Sequence, residues 1–115
     1  MHELGIANSV LEAVRVELGR HPGAFPVKVA MRVGELAGID PQALAFSFQA
    51  LTAGTEWESL LLEIQTSPRR HRCPACGMTF RVIDPSFACP ACGASRTQCV
   101  GGDELELAYL ELEEP

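Results

Sequence analysis

Lysine is almost missing from this chain of 115 residues: Lys28 stands alone beside eight arginines, and together they face fifteen acidic residues for a formal charge of −6. A field of that sign repels phosphate backbones and argues against general nucleic-acid binding. No apolar run approaches the roughly 18 residues that a membrane span requires, which excludes an integral membrane protein with helical spans. The start, Met1-His2-Glu3, carries neither the basic opening nor the apolar core of a secretory signal, so the expectation is a chain that stays in the cytoplasm. No glycine-rich loop is built to cradle phosphates, and no nucleophile stands beside an evident base, so neither nucleotide hydrolysis nor covalent catalysis is expected. At 47% hydrophobic and 21% charged, the composition excludes wholesale disorder and collagen-like repeats. Such a length suits one domain and leaves no room for separate cofactor and substrate domains.

Cysteine, by contrast, is plentiful. There are five, and in a reducing compartment they point to metal or redox chemistry before disulfides. Four stand in two matched units, Cys73-Pro74-Ala75-Cys76-Gly77 and Cys89-Pro90-Ala91-Cys92-Gly93. A two-residue spacer lets both thiolates of a unit reach one ion, and the following glycine allows the tight turn that aims backbone amides at sulfur. Four thiolates in a tetrahedron suit Zn²⁺ and leave no open position for a substrate, so Cys73, Cys76, Cys89 and Cys92 are read as a structural zinc ribbon. Iron in the same cage and a redox dithiol are the less favoured alternatives. Residues 67 to 99 hold few large apolar groups and cannot form a core unaided, so this segment needs such a cross-link. Cys99 is the odd cysteine, read as a small, partly buried side chain with a spare ligand as the sharper alternative. The run Arg69-Arg70-His71-Arg72 is read first as solvated charge, with RNA or an acidic partner as the alternative.

The remaining chain alternates helix and strand patterns. Leu4, Ala7, Val10, Leu11, Val14 and Leu18 fall at helical spacing, and the periodicity predicts a helix ending near Gly19. Val27, Val29, Met31 and Val33 alternate as in a half-buried strand. Asp40-Pro41 predicts a helix start, with Leu44, Phe48 and Leu51 as its apolar stripe and Gly54 as its terminator. Strands are predicted at 60–66 and 105–113, the latter with a change of phase near Ala108-Tyr109 that suggests a bulge. Asp84-Pro85 should turn the chain between the knuckles. The expected fold is α+β: two helices on a small three-stranded sheet formed by 1–66 and 100–115, with a zinc-ribbon domain at 67–99 inserted before the last strand.

Met1-His2-Glu3 is a weak signal by itself but has a specific chemistry when the terminus is free. The Met1 amine and His2 amide close a five-membered ring on a metal, and the His2 amide and Nδ1 close a six-membered one. A group from Glu3 completes a square plane, an arrangement that suits Ni²⁺ or Cu²⁺ better than Zn²⁺. The first amides of a helix lack intrahelical acceptors, so a metal can displace their protons without breaking a ladder bond. Glu3 would offset the positive helix end.

Taken in order, Met1-His2-Glu3, Val33-Gly34-Glu35-Leu36, Gly38-Ile39-Asp40-Pro41, the two cysteine knuckles and Gly102-Asp103-Glu104-Leu105 resemble the HypA (HybF) family of [NiFe]-hydrogenase nickel-insertion proteins over nearly the whole chain. The departures are Cys99 and the stretch Thr55-Glu56-Trp57-Glu58-Ser59. The resemblance implies nickel carried by His2, with Glu3, the Met1 amine and Asp40 as further ligands, and structural zinc at the four cysteines. Capping alone would also explain Asp40. It implies a metallochaperone that delivers Ni²⁺ as transferable cargo to the apo-hydrogenase large subunit and performs no catalysis. The implied partners are a HypB-type GTPase and the hydrogenase precursor, with urease maturation proteins and a homodimer also allowed, and neither nucleic acid nor membrane insertion. The rival from another class is a zinc-ribbon module that binds nucleic acid or a transcription complex.

Overall fold

The computed structural model describes residues 3–83 and 86–115; Met1, His2 and the expected Asp84-Pro85 turn lie outside the described residues. The element order is α1 (Glu3–Leu18), β1 (Phe25–Gly34), a 3₁₀ turn (Glu35–Ala37), α2 (Pro41–Thr52), β2 (Leu61–Ser67), β3 (Arg70–Arg72), β4 (Thr79–Arg81), β5 (Gln98–Gly101) and β6 (Leu105–Glu113). Two three-stranded sheets result, ordered β2-β1-β6 and β4-β3-β5. The fold is the expected α+β arrangement, with the cysteine-bearing strands inserted before the last strand. The chain divides into two compact units. One comprises the described residues up to Arg32, Gly38–Gln65 and Glu106–Pro115; the other comprises Val33–Ala37 and Thr66–Leu105.

The core of the first unit follows from the periodicities. Helix α1 buries Ala7, Val10, Leu11 and Val14, and α2 buries Leu44 and Phe48. The two helices pack on each other. From β1, Val29, Ala30 and Met31 are buried. Ala30 falls on the face that strict alternation would leave to solvent, and its burial reflects the position of β1 at the sheet centre. Trp57, in the stretch that matched no pattern, is buried with the Arg15 guanidinium 5.1 Å above its ring. Each fully buried side chain of this size contributes on the order of 1.5–3 kcal/mol.

All three strands of the main sheet meet in one polar network. The Glu63 carboxylate of β2 receives Lys28 Nζ of β1 at 3.1 Å and the Tyr109 hydroxyl of β6 at 2.9 Å. Gln65 donates to Glu63 as well, and these contacts, Gln65 first, hold its carboxyl down to about 2. In β6 the burial alternation shifts phase between Glu106 and Leu107, one to two residues before the sequence pattern suggested.

Helix α2 starts as Asp40-Pro41 requires. Asp40 is extended (φ −81°, ψ 113°), and its Oδ1 accepts from Gln42 N at 2.9 Å and Ala43 N at 3.4 Å. After the helix, Gly54 takes φ +74°, a left-handed conformation that suits glycine.

Phe48 is 1% exposed at the centre of this packing. Phe48→Ala should lower the unfolding free energy by about 3–5 kcal/mol, measured by denaturant titration. A loss below 1 kcal/mol would show that the site collapses around the smaller side chain.

Candidate metal centre

Each knuckle is a closed turn. Gly77 N donates to Cys73 O at 2.7 Å and Cys73 N to Met78 O at 2.9 Å; in the second turn Gly93 N donates to Cys89 O at 2.9 Å and Cys89 N to Ala94 O at 3.0 Å. Gly77 and Gly93 sit at φ +80° and +78° with nothing within 4 Å of an added Cβ. Glycine is therefore required by the backbone conformation and not by crowding.

The two turns bring four sulfurs together. Cys73, Cys76, Cys89 and Cys92 place their Sγ atoms within 4.8 Å of one another, with Cys73 and Cys89 buried and Cys76 and Cys92 exposed. Two approaches cross between knuckles: Cys73 to Cys92 at 3.5 Å and Cys76 to Cys89 at 3.6 Å. Within each knuckle the first cysteine is favoured as thiolate. The Cys76 amide, above all, lowers the Cys73 thiol, and the Cys92 amide holds Cys89 at about 7. The second cysteine goes the other way. The Met78 amide acts most strongly on Cys76 and would lower it, but the Cys89 sulfur, burial and the Cys73 sulfur together raise it. At Cys92 the Ala94 amide is likewise outweighed by Cys73, burial and the other sulfurs, which push it up to about 11. Four thiols this close cannot all ionise without a counter-charge. A soft dication in the middle would supply it, and the donor set, spacing and amide support fit a four-sulfur metal site.

Cys99 does not join this cluster. It is exposed on β5 with its Sγ donating toward Gly101 O at 3.5 Å, so the partly buried placement expected for it is not what the fold provides. His71, within the run expected to be solvated, is instead buried and does not join the sulfur cluster. It is 3% exposed, with Arg69 Nε donating to its Nε2 at 2.9 Å and its Nδ1 2.8 Å from Thr97 Oγ1. Thr97 Oγ1 in turn donates to Phe87 O at 2.6 Å, and the Arg69 guanidinium stacks 4.2 Å from the Phe87 ring. With Nε2 accepting, Nδ1 carries the proton, and burial followed by the Arg69 charge favours this neutral form. The network ties together residues far apart in sequence, and only the Arg-x-His spacing hints at it. A second set of ties holds the Val33–Ala37 segment within the same unit: Gly34 N to Glu104 O and Leu36 N to Gly102 O, both 2.6 Å, and Arg69 N to the Glu35 carboxylate at 2.9 Å. Glu35 is exposed and accepts this backbone hydrogen bond at the surface. A Cβ at Gly34 would lie 2.1 Å from Gly102 O, so only glycine allows this approach.

Of the residues proposed for nickel, the structure brings Glu3 and Asp40 together. Glu3 opens α1, and its Oε2 lies 3.5 Å from Asp40 N, one residue before α2 begins. The Glu3 carboxylate therefore lies against the backbone at the start of α2, and the Asp40 cap engages only Oδ1. His2 and Met1 lie outside the described residues.

A family model described as HypA, hydrogenase/urease nickel incorporation, metallochaperone, matches residues 1–112. The chain belongs to the HypA family. A relative from Geobacter metallireducens named hydrogenase maturation factor HypA is 38% identical over 113 residues, covering 98% of this chain and all of the relative. One from Acidithiobacillus ferrooxidans with the same name is 38% identical over 114 residues, with 98% and 100% covered. Among solved structures, the solution structure of the Ni metallochaperone HypA from Helicobacter pylori aligns over all of both chains with TM-score 0.65 at 18% identity, a likeness of HypA fold. Among the described residues no helix is long and apolar enough to cross a membrane.

A dication that takes all four sulfurs must displace the protons that Cys76 and Cys92 retain at neutral pH. Zinc added to metal-stripped protein should release more protons per ion at pH 6 than at pH 8, and apparent affinity should climb with pH. Affinity independent of pH over that range would contradict the four-thiolate assignment.

Proposed function

We propose that this chain delivers Ni²⁺ to the apo-[NiFe]-hydrogenase large subunit, holding the ion at its N-terminus and using the four-cysteine ribbon as a structural zinc site. Family membership supports the nickel role in general. The observation that carries the site is the 3.5 Å approach of the Glu3 carboxylate to the Asp40 amide. It sets a carboxylate from the first turn of α1 against the start of α2, where Asp40 keeps one carboxylate oxygen outside its cap. Glu3 and Asp40 supply negative charge against two positive helix ends, which would otherwise disfavour a cation. The nickel set is then His2, the Met1 amine and Glu3, with Asp40 available through the oxygen outside its cap.

Delivery is ligand exchange: nickel passes from these donors to those of the acceptor, and no substrate bond is made or broken. A HypB-type GTPase and the hydrogenase precursor are the partners this reading requires, in the cytoplasm, with urease maturation proteins as a second destination. Zinc at Cys73, Cys76, Cys89 and Cys92 supplies charge compensation and a four-way cross-link for a segment too poor in apolar residues to fold alone. The labour divides between the unit carrying Glu3 and Asp40 and the unit carrying the cysteines.

Two variants test the division. His2→Ala should keep zinc and its fold while losing nickel, and Cys73→Ala should lose zinc and unfold the ribbon. Metal analysis and circular dichroism read both. Equal loss of both metals in either variant would contradict two separate sites.

A further inference from the structure

The arginines of the ribbon have no use in the function so far. In the first unit every Arg and Lys is paired: Arg15 with Glu12, Arg20 with Glu17, Lys28 with Glu63 and Arg32 with Glu106. The ribbon unit holds Arg69, Arg70, Arg72, Arg81 and Arg96, and none makes an ion pair among the described residues, in a chain with fifteen acidic groups. Arg69 is engaged internally, on His71 and Phe87. Arg70, Arg72 and Arg81 are exposed.

The register places these three on one face. Strand alternation puts Arg70 and Arg72 opposite the buried His71, and Arg81 lies directly across from Arg70, with Thr79 across from Arg72. Like charges directly opposite each other destabilise a sheet. Arg70 reaches over Gly101 and is drawn by the Glu104 charge without forming an ion pair, and Arg81 across from it has no ion pair among the described residues. Offsetting the charge of the cysteine centre does not explain the pair. Cys73 follows Arg72 and Met78 precedes Thr79, so the knuckle adjoins the Arg72–Thr79 end and the Arg70–Arg81 end is farther from it. Two residues beyond Arg81, Ile83 is 88% exposed, an apolar contact at the end of the charged row.

We propose that the Arg70, Arg72 and Arg81 face of the ribbon sheet docks an acidic segment of a partner protein. Guanidinium groups bind carboxylates through paired hydrogen bonds, and a row spaced along two strands suits an extended carboxylate-bearing chain. The overall charge of −6 weighs more against a long nucleic-acid duplex, which would extend over the acidic remainder of the chain, than against a short acidic segment that meets only the arginine row within a screening length. This surface does not depend on the nickel reading and stands if that reading fails.

The test uses the full zinc-loaded chain and a capped, fluorescein-labelled peptide of six glutamates followed by leucine, at 50 mM salt. Wild type should bind, with affinity falling as salt rises. Arg81→Glu should weaken binding at least tenfold, retain zinc, and raise the thermal midpoint of the ribbon by about 2–6 °C, because a repelling cross-strand pair becomes an attracting one. Arg81→Gln should weaken binding less, with a smaller rise. Loss of zinc or a lower midpoint in Arg81→Glu with binding intact would make the arginine a structural counter-charge and overturn the proposal. So would absence of peptide binding by wild type, or tighter capture of a 20-base-pair DNA duplex than of the peptide.

Discussion

Four sulfurs within 4.8 Å of one another are the constraint on which this molecule turns. As thiolates they repel, as thiols they bind one another weakly, and the segment they close has too little apolar surface to hold them by packing. The two glycine turns shape the knuckles that bring the sulfurs together, so the backbone builds a repulsion that a dication would relieve. Within the ribbon unit, the His71 network and the ties from Val33–Ala37 add hydrogen bonds among residues outside the two knuckles.

Much of this was legible in the sequence because its signals are local. Helical spacing of Ala7, Val10, Leu11 and Val14, the Asp40-Pro41 cap, and the paired Cys-Pro-Ala-Cys-Gly units each depend on neighbours a few residues away, and each gave the observed element. What escaped was set by distant contacts. Ala30 is buried because its strand is central. Glu35 binds an amide 34 residues away, and Cys99 is exposed because β5 joins the small sheet with its sulfur on the surface. Trp57 belonged to no recognisable pattern, yet it packs into the core under Arg15. The approach of Glu3 to Asp40 was implied only by the family's ligand set. No periodicity brings two helix starts 37 residues apart to one place.

That approach gives the nickel reading its physical content. A chelate made from the chain terminus is adaptable but entropically costly, since terminal residues must be fixed before they bind. Glu3, in the first turn of α1 and against the start of α2, would be fixed in advance as one donor of the proposed nickel set.

The most direct measurement is nickel titration of the tag-free chain against the same chain carrying a short extension before Met1. The extension turns the terminal amine into an amide and leaves every side chain intact. If the amine and backbone nitrogen are ligands, the extended protein should bind nickel more weakly or with an altered spectrum, and the tag-free complex should be diamagnetic, as a square-planar nitrogen site requires. Identical titrations and a paramagnetic ion in both would show that side-chain oxygens and imidazole suffice, and the terminal chelate would be wrong.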